Sequence, residues 1–335
     1  MFANRIRSHA HAGQRDAGRN GEVKTWSSAF EIPWEKTRAP YRAGSEFPVI
    51  ARDGVHLSAA RVGAASAPAS VVYVHGVGAG SGCWTPLVEH LHRQLEGGIA
   101  QYIYRQRSHG HSESHSRGAP LSLGTLIADL DSVLGQVSGA VVLAAHSAAT
   151  VLVLEWARHN PGRAKDLAGI VLFNAFCEIP TTLATSRQVL RCGLDRGDRC
   201  GSFEGVISHL HSARDTYALS RARQRADVAV ETELLDEFAE AARIELSNSS
   251  AAVSNGASAE VLREIPTWVL AGQLDPFVPA DRSRNFAEQI WADYGAIPGA
   301  GHWLPCTDPG NAADPILAAL EVAYRASRDH IGGGW

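Results

Sequence analysis

Between Ser70 and Ala271 short strand-like runs alternate with stretches of helical spacing, and no other feature restricts the fold of this chain as much. The runs are SVVYVH (Ser70 to His75), IAQYIY (Ile99 to Tyr104), AVVLAA (Ala140 to Ala145), GIVLFNAF (Gly169 to Phe176) and PTWVLA (Pro266 to Ala271). Runs this short and this apolar read as strands buried on both faces of a parallel sheet. Between them, Trp84, Leu87, Val88, Leu91 and Leu95 share one helical face, and Ser122 stands as N-cap before Leu123, Leu126, Ile127, Leu130 and Leu134. Such alternation forces right-handed crossovers and covers both faces of the sheet with helices, the α/β class.

Ahead of the alternation, EFPVIARDGVHLSAARV from Glu46 reads as two short strands joined at Asp53-Gly54, an antiparallel start. After Pro266 the spacing predicts helices from about Asp281 to Tyr294 and from about Pro315 to His330. From Pro180 to roughly Glu264 the alternation stops, and Val230, Leu234, Phe238 and Ala242 line one face of a helical stretch. The division that follows is an arm, 1–45, partly disordered; a core, 46–178 with 265–335; and a helical cap, 179–264. A length of 335 residues suits one large domain with such an insertion.

A net charge of −4 with 20% charged residues offers no electrostatic reason to bind nucleic acid or an anionic membrane. The basic start, MFANRIRSHAHAGQRDAGRNGE, lacks the apolar region of a secretory signal, and no stretch reaches the length of a membrane span. Five cysteines, an odd number, do not make a disulfide framework; Cys192 and Cys200 read as reduced thiols of a cytoplasmic monomer or homodimer.

The chemistry begins at LAAHSAAT, Leu143 to Thr150, where an apolar strand gives way to the buried helical pattern of Val151, Leu152, Leu154, Trp156 and Ala157. Ser147 sits at the turn, with the small Ala145 and Ala149 two positions to either side. A serine hydroxyl becomes a nucleophile only beside a base held in the right tautomer by an acid. In open parallel sheets ligands gather at the carboxyl ends of strands. Asp275, just past WVLAGQL, and His302, in GAGHWL, lie where such partners belong.

The order Ser147, Asp275, His302 and the strand-turn-helix setting of the serine resemble the α/β-hydrolase fold family. VHGVGAGSGCW resembles that family's oxyanion loop, RQRSHGHS its R-G-H-G-x-S loop, and GQLDPFVP and GAGHWL its acid and histidine loops. The likeness covers roughly Glu46 to Arg328 and puts the helical insertion where the family carries its cap. It implies Ser147 as nucleophile, His302 as base, Asp275 as orienting acid, and the backbone N–H groups of Val77 and Ala148 as the oxyanion hole. Gly76, Gly78, His146 and Trp303 are then read as lining the substrate. The pattern departs from the family at Ala145 and Ala149, where glycine is usual, and at Arg105 and Ser108, where aspartate and glycine are usual; the latter pair is read as a mark of an unusual substrate near the mouth.

The expected activity is hydrolysis of a carboxylic ester, lactone or thioester with an apolar part, through an acyl-enzyme and without cofactor or metal. Phe203, Tyr217, Leu234 and Phe238 of the cap supply the apolar roof. A carbon-carbon bond hydrolase is the enzymatic alternative, and a ligand-binding, non-hydrolytic member of the fold is the alternative from another class. Other readings fare worse. Glu178 rivals Asp275 as the acid, but the order of the three residues favours Asp275. The histidines of HGHSESH lack the companions of a metal site. The glycines after the first strand fail G-x-G-x-x-G, since Ser81 or Cys83 would have to be the third.

Overall fold

The computed structural model describes residue 26 and residues 44–76, 81–107, 109, 111–113, 122–176, 257–275 and 277–331. The arm apart from Trp26, Gly44 and Ser45, together with Val77, Gly78, Ser108, His115, Glu178, Cys192, Cys200 and most of the helical insertion, lies outside the described residues.

Eight strands form one sheet. They are β1 (Ser45–Ile50), β2 (His56–Val62), β3 (Ala69–Val74), β4 (Ala100–Tyr104), β5 (Ala140–His146), β6 (Gly169–Phe173), β7 (Thr267–Gly272) and β8 (Asp293–Ile297). Their order is β1-β2-β4-β3-β5-β6-β7-β8. β1 pairs antiparallel with β2 and β2 with β4, and every later pairing is parallel. The hairpin turns at Gly54, whose φ of 87° suits a residue without Cβ.

Successive side chains of a strand point to opposite faces, and the core divides accordingly. Val72, Val74, Leu143, Ala145, Ile170, Leu172 and Val269 face one layer, made by α2 (Leu123–Leu134), α3 (Ala149–His159), α4 (Pro161–Lys165), α5 (Ala257–Arg263) and α6 (Ala280–Ile290). Their neighbours Val71, Tyr73, Val142, Ala144, Val171, Phe173, Trp268 and Leu270 face the other, made by α1 (Thr85–Gln94), α7 (Leu304–Thr307) and α8 (Pro309–Ile331). Double burial is why the central strands read as unbroken apolar runs. Ser122 caps α2 as its sequence position implies, its side chain accepting from the Thr125 N–H at 3.0 Å.

Two features differ from the sequence reading. The helix expected through Tyr294 ends at Ile290, and Trp291, at φ 60°, turns the chain into β8. No glycine marks that C-cap, and DYGAI is half-buried and poor in β-branched residues, so pattern alone conceals the strand. The last helix begins at Pro309, six positions before Pro315, which it carries inside. Buried Ala312, Ala313, Ile316 and Leu317 hold that turn against α1 and the sheet despite the missing N–H. α5 packs on α3 and α6 with Leu262 in the core. Trp26 lies on β8: a Cβ at Gly295 would stand 2.5 Å from its ring, and its main-chain N–H donates to Asp314 Oδ2 at 2.7 Å.

Candidate active site

The sheet reverses its winding at β3, which has β4 on one side and β5 on the other. A crevice opens at such a switch point, outside the carboxyl ends of the strands. β3 enters it at His75-Gly76 and β5 at His146-Ser147. A Cβ on Gly76 would meet the His146 carbonyl oxygen at 3.0 Å and the Ser147 Cβ at 3.3 Å, so the two strand ends touch through main chain. A side chain at Gly76 would have to push those neighbours back by a few tenths of an ångström, which glycine avoids.

Ser147 is 7% exposed and adopts φ 55°, a left-handed conformation that L-residues adopt at a cost of about 1–2 kcal/mol. The strain is imposed from both sides. The Ser147 N–H donates to the Phe173 carbonyl at the end of β6 (2.9 Å), while its own carbonyl accepts the Thr150 N–H (2.9 Å) and opens α3. Ala148 is the N-cap of that helix. Amide groups in a first turn lack intrahelical acceptors and, with the macrodipole, favour negative charge.

Asp275 and His302 meet beside the ends of β7 and β8. The His302 Nδ1–H donates to Asp275 Oδ2 at 2.7 Å, and both residues are buried. The second oxygen of Asp275 accepts the N–H groups of Phe277 (2.7 Å) and Val278 (2.9 Å). With Nδ1 protonated toward the carboxylate, Nε2 of the neutral ring is the acceptor. The loop holding His302 lies directly on β7: a Cβ on Gly272 would stand 2.3 Å from the Gly301 carbonyl oxygen, and Leu274 donates to the Ala300 carbonyl at 2.8 Å.

His146, the residue before Ser147, is only 1% exposed, and its ring centre lies 4.8 Å from that of His302. Its Nε2–H donates to the His302 carbonyl at 2.7 Å. Burial above all, with His302 close by, pushes its imidazole down to about 3, so it is neutral at physiological pH. Trp303 is 8% exposed, packed 5.4 Å from the His302 ring and 5.5 Å from the His146 ring, with Phe277 closing the other side of His302 at 5.1 Å.

His75 supports the β3 end. Its Nδ1–H donates to the Gly76 carbonyl (3.0 Å), and its Nε2 accepts the Gln106 N–H (3.0 Å). Burial, helped by nearby His109, pushes its imidazole down to about 3. The RQRSHGHS loop is held from beneath. Arg107 grips Asp129 through Nε and Nη2 (2.7 and 2.6 Å) and reaches Asp53 at 2.8 Å. Arg105, read from sequence as a residue near the mouth, turns its guanidinium to Ser58 (2.7 Å) and Glu46 (3.4 Å) and so braces the β1–β2 hairpin. Its departure from the family pattern is thus answered by the hairpin.

Asn174, which the sequence reading passed over, belongs to this site. It follows β6 at φ 49°, fully buried, with Oδ1 accepting the Gly272 N–H at 2.8 Å and Nδ2 donating to the His302 carbonyl at 2.5 Å. The available signal was a residue tolerant of left-handed φ directly after a buried strand.

Comparison with known proteins agrees with this architecture. An esterase from Thermogutta terrifontis superposes with a TM-score of 0.59 at 20% identity, covering 83% of this chain and 99% of its own. A carboxylesterase from Nitrososphaera gargenis reaches 0.65 at 17% identity, covering 82% and 97%. The thioesterase domain of the curacin biosynthetic pathway reaches 0.57 at 17% identity, covering 83% and 99%. At such identities the likeness speaks to fold. No curated protein matches the sequence. The model of the alpha/beta hydrolase family matches residues 71–314, and the chain belongs to that family.

Proposed function

We propose that the chain is a serine hydrolase in which Ser147 attacks an acyl carbonyl, His302 is the general base and acid, and Asp275 orients the imidazole. The observation that carries this reading is the buried Asp275–His302 hydrogen bond of 2.7 Å, at the strand ends where Ser147 is held at φ 55°. The Asp275 carboxylate keeps the Nδ1 proton in place, which leaves the Nε2 lone pair to take the Ser147 proton as the Oγ–carbonyl bond forms. The negative charge moves to the carbonyl oxygen. There the Ala148 N–H, with that of Val77, would donate; a preorganised donor of this kind lowers the barrier by about 3 kcal/mol. His302 then returns the proton to the leaving oxygen or sulfur as the tetrahedral intermediate breaks, and water repeats the sequence to release the acid.

The substrate class we favour is a small carboxylic ester, lactone or thioester with an apolar part, and the mechanism calls on no cofactor or metal. Esterases and a thioesterase among the structural neighbours support an oxygen or sulfur leaving group. Gly76, Gly78 and Trp303 would lie along the acyl group. The apolar walls Trp303 and Phe277 around His302 favour that part of the substrate over a charged one.

The test is hydrolysis of p-nitrophenyl esters of increasing acyl length by the wild type and Ser147→Ala, with a fluorophosphonate probe followed by intact mass. Turnover lost in the variant, with one adduct on the wild type, is the expected result. A folded wild type with neither adduct nor turnover would overturn the reading and favour a protein that binds without hydrolysing.

A further inference from the structure

One carbonyl oxygen, that of His302, accepts two buried side-chain donors: Asn174 Nδ2 at 2.5 Å and His146 Nε2 at 2.7 Å. A carbonyl has two lone pairs, so both are engaged. The donors arrive from different strands, Asn174 from the end of β6 and His146 from the end of β5, immediately before Ser147. The Asn174 carboxamide also reaches a third strand, since its Oδ1 takes the Gly272 N–H (2.8 Å), and the Asn174 main-chain N–H donates to the Leu270 carbonyl on that same strand (2.9 Å). Gly272 in turn accepts the Asp275 N–H at 3.2 Å. A single side chain thereby joins the loop of Asp275 to the loop of His302, and His146 joins the latter to the serine turn.

We infer that Asn174 and His146 form a clamp on the His302 main chain that sets where the imidazole stands relative to Ser147, making both of them positioning residues. The inference rests on the reading of His302 as general base. Asp275 fixes the ring from its Nδ1 side but leaves it free to pivot about Cα if the main chain shifts, and the clamp removes that freedom. Asparagine suits its position because it supplies a donor and an acceptor on one carboxamide and tolerates φ 49°. Leucine would satisfy neither partner, and aspartate would set an oxygen against the His302 carbonyl. His146 suits its own because its Nε2–H, at the far end of the side chain, reaches from β5 to that carbonyl. A displacement of roughly 1 Å at a reacting group lowers the rate by about 100-fold, so the clamp has a measurable effect.

The experiment compares Asn174→Gly, which keeps the backbone conformation accessible, in the wild-type and His302→Ala backgrounds. His302→Ala retains the main-chain carbonyl and therefore the clamp, but has no imidazole to place. We expect Asn174→Gly to lower kcat and the fluorophosphonate labelling rate roughly 10- to 100-fold with KM nearly unchanged, and to cause no further fall in the His302→Ala background. We expect His146→Leu to lose activity and His146→Gln, which keeps an amide donor, to recover most of it. That pair decides the matter if Asn174→Gly does not fold. Equal losses in both backgrounds, or Asn174→Gly and His146→Leu within twofold of wild type, would overturn the clamp. Failure of the wild type to label, or full activity in His302→Ala, would instead overturn the hydrolase reading itself.

Discussion

Asp275→Asn should abolish most of the activity while leaving the fold in place, and the hydrogen bonds of Asp275 say why. Oδ1 accepts two main-chain N–H groups, at 2.7 and 2.9 Å, and Oδ2 accepts the His302 Nδ1–H at 2.7 Å. In the variant the amide oxygen must stay with the two N–H groups. Turning the NH2 toward them would leave buried donors unsatisfied, at about 1–3 kcal/mol each. The NH2 therefore faces Nδ1, which must become an acceptor. The ring proton then sits on Nε2, pointing to where the serine proton should go. A base in the wrong tautomer costs a factor of about 10⁴ in kcat, or roughly 5 kcal/mol of barrier. Stability should fall by only about 1 kcal/mol for each main-chain bond that changes from charged to neutral acceptor. Asp275→Ala, which leaves both N–H groups without that acceptor, should be less stable than Asp275→Asn. Steady-state hydrolysis of p-nitrophenyl butyrate with parallel urea unfolding tests both parts. An Asp275→Asn enzyme within tenfold of wild type, or equal unfolding midpoints for the two variants, would refute the reasoning.

Ser147→Gly and Ser147→Ala should be equally inactive, but the glycine variant should unfold at higher urea, by about 1 kcal/mol, because φ 55° strains alanine and not glycine; identical midpoints would show that the turn stores no strain. His75 and His146 are held neutral with imidazoles near 3, against 6.5 in the unfolded chain. Between those values the unfolded state binds more protons, so their contribution is complete above about pH 6.5 and declines as pH falls toward 3, by up to about 1.4 kcal/mol per pH unit for each. Urea unfolding at pH 7, 6 and 5 should show this acid weakening, reduced in His75→Gln; a flat profile would sink it. Gly272→Ala should cost about 1–3 kcal/mol and lower activity as well, because the new methyl group would stand 2.3 Å from the Gly301 carbonyl oxygen, one residue before His302. Wild-type unfolding and turnover would show that the loop yields freely there.

The alternation of strands and helices was legible because the central strands are buried on both faces and read as apolar runs. The meeting of Asp275 with His302 was legible from the order Ser147, Asp275, His302 and from the place of Asp275 just past β7, whose carboxyl end faces the crevice. What escaped depended on context. β8 carries aspartate and glycine and is entered through Trp291 in a left-handed turn, so neither its composition nor its start announces it. α8 runs through Pro315 because the packing of its apolar face outweighs a local breaker. Arg105 looked like a departure near the mouth, yet its partners lie on a hairpin more than forty positions away in sequence.

The same distinction separates the proposed reacting groups from what holds them. A nucleophile, base or acid must present a particular functional group to the crevice, so its residue type and its place after a strand can be read together. The contacts we infer to locate His302 run instead to main chain: hydrogen bonds to its own carbonyl and from the Gly272 N–H, and the close approach of the Gly301 carbonyl to Gly272. Every residue but proline carries the same main-chain donors and acceptors, so their pairing leaves no mark in the sequence except where the neighbour must be special. Gly272 and Asn174 are such neighbours, one by lacking a side chain and the other by carrying both a donor and an acceptor at a left-handed φ. Their substitutions should therefore resemble substitutions of the reacting groups in kcat, although neither needs to touch a substrate.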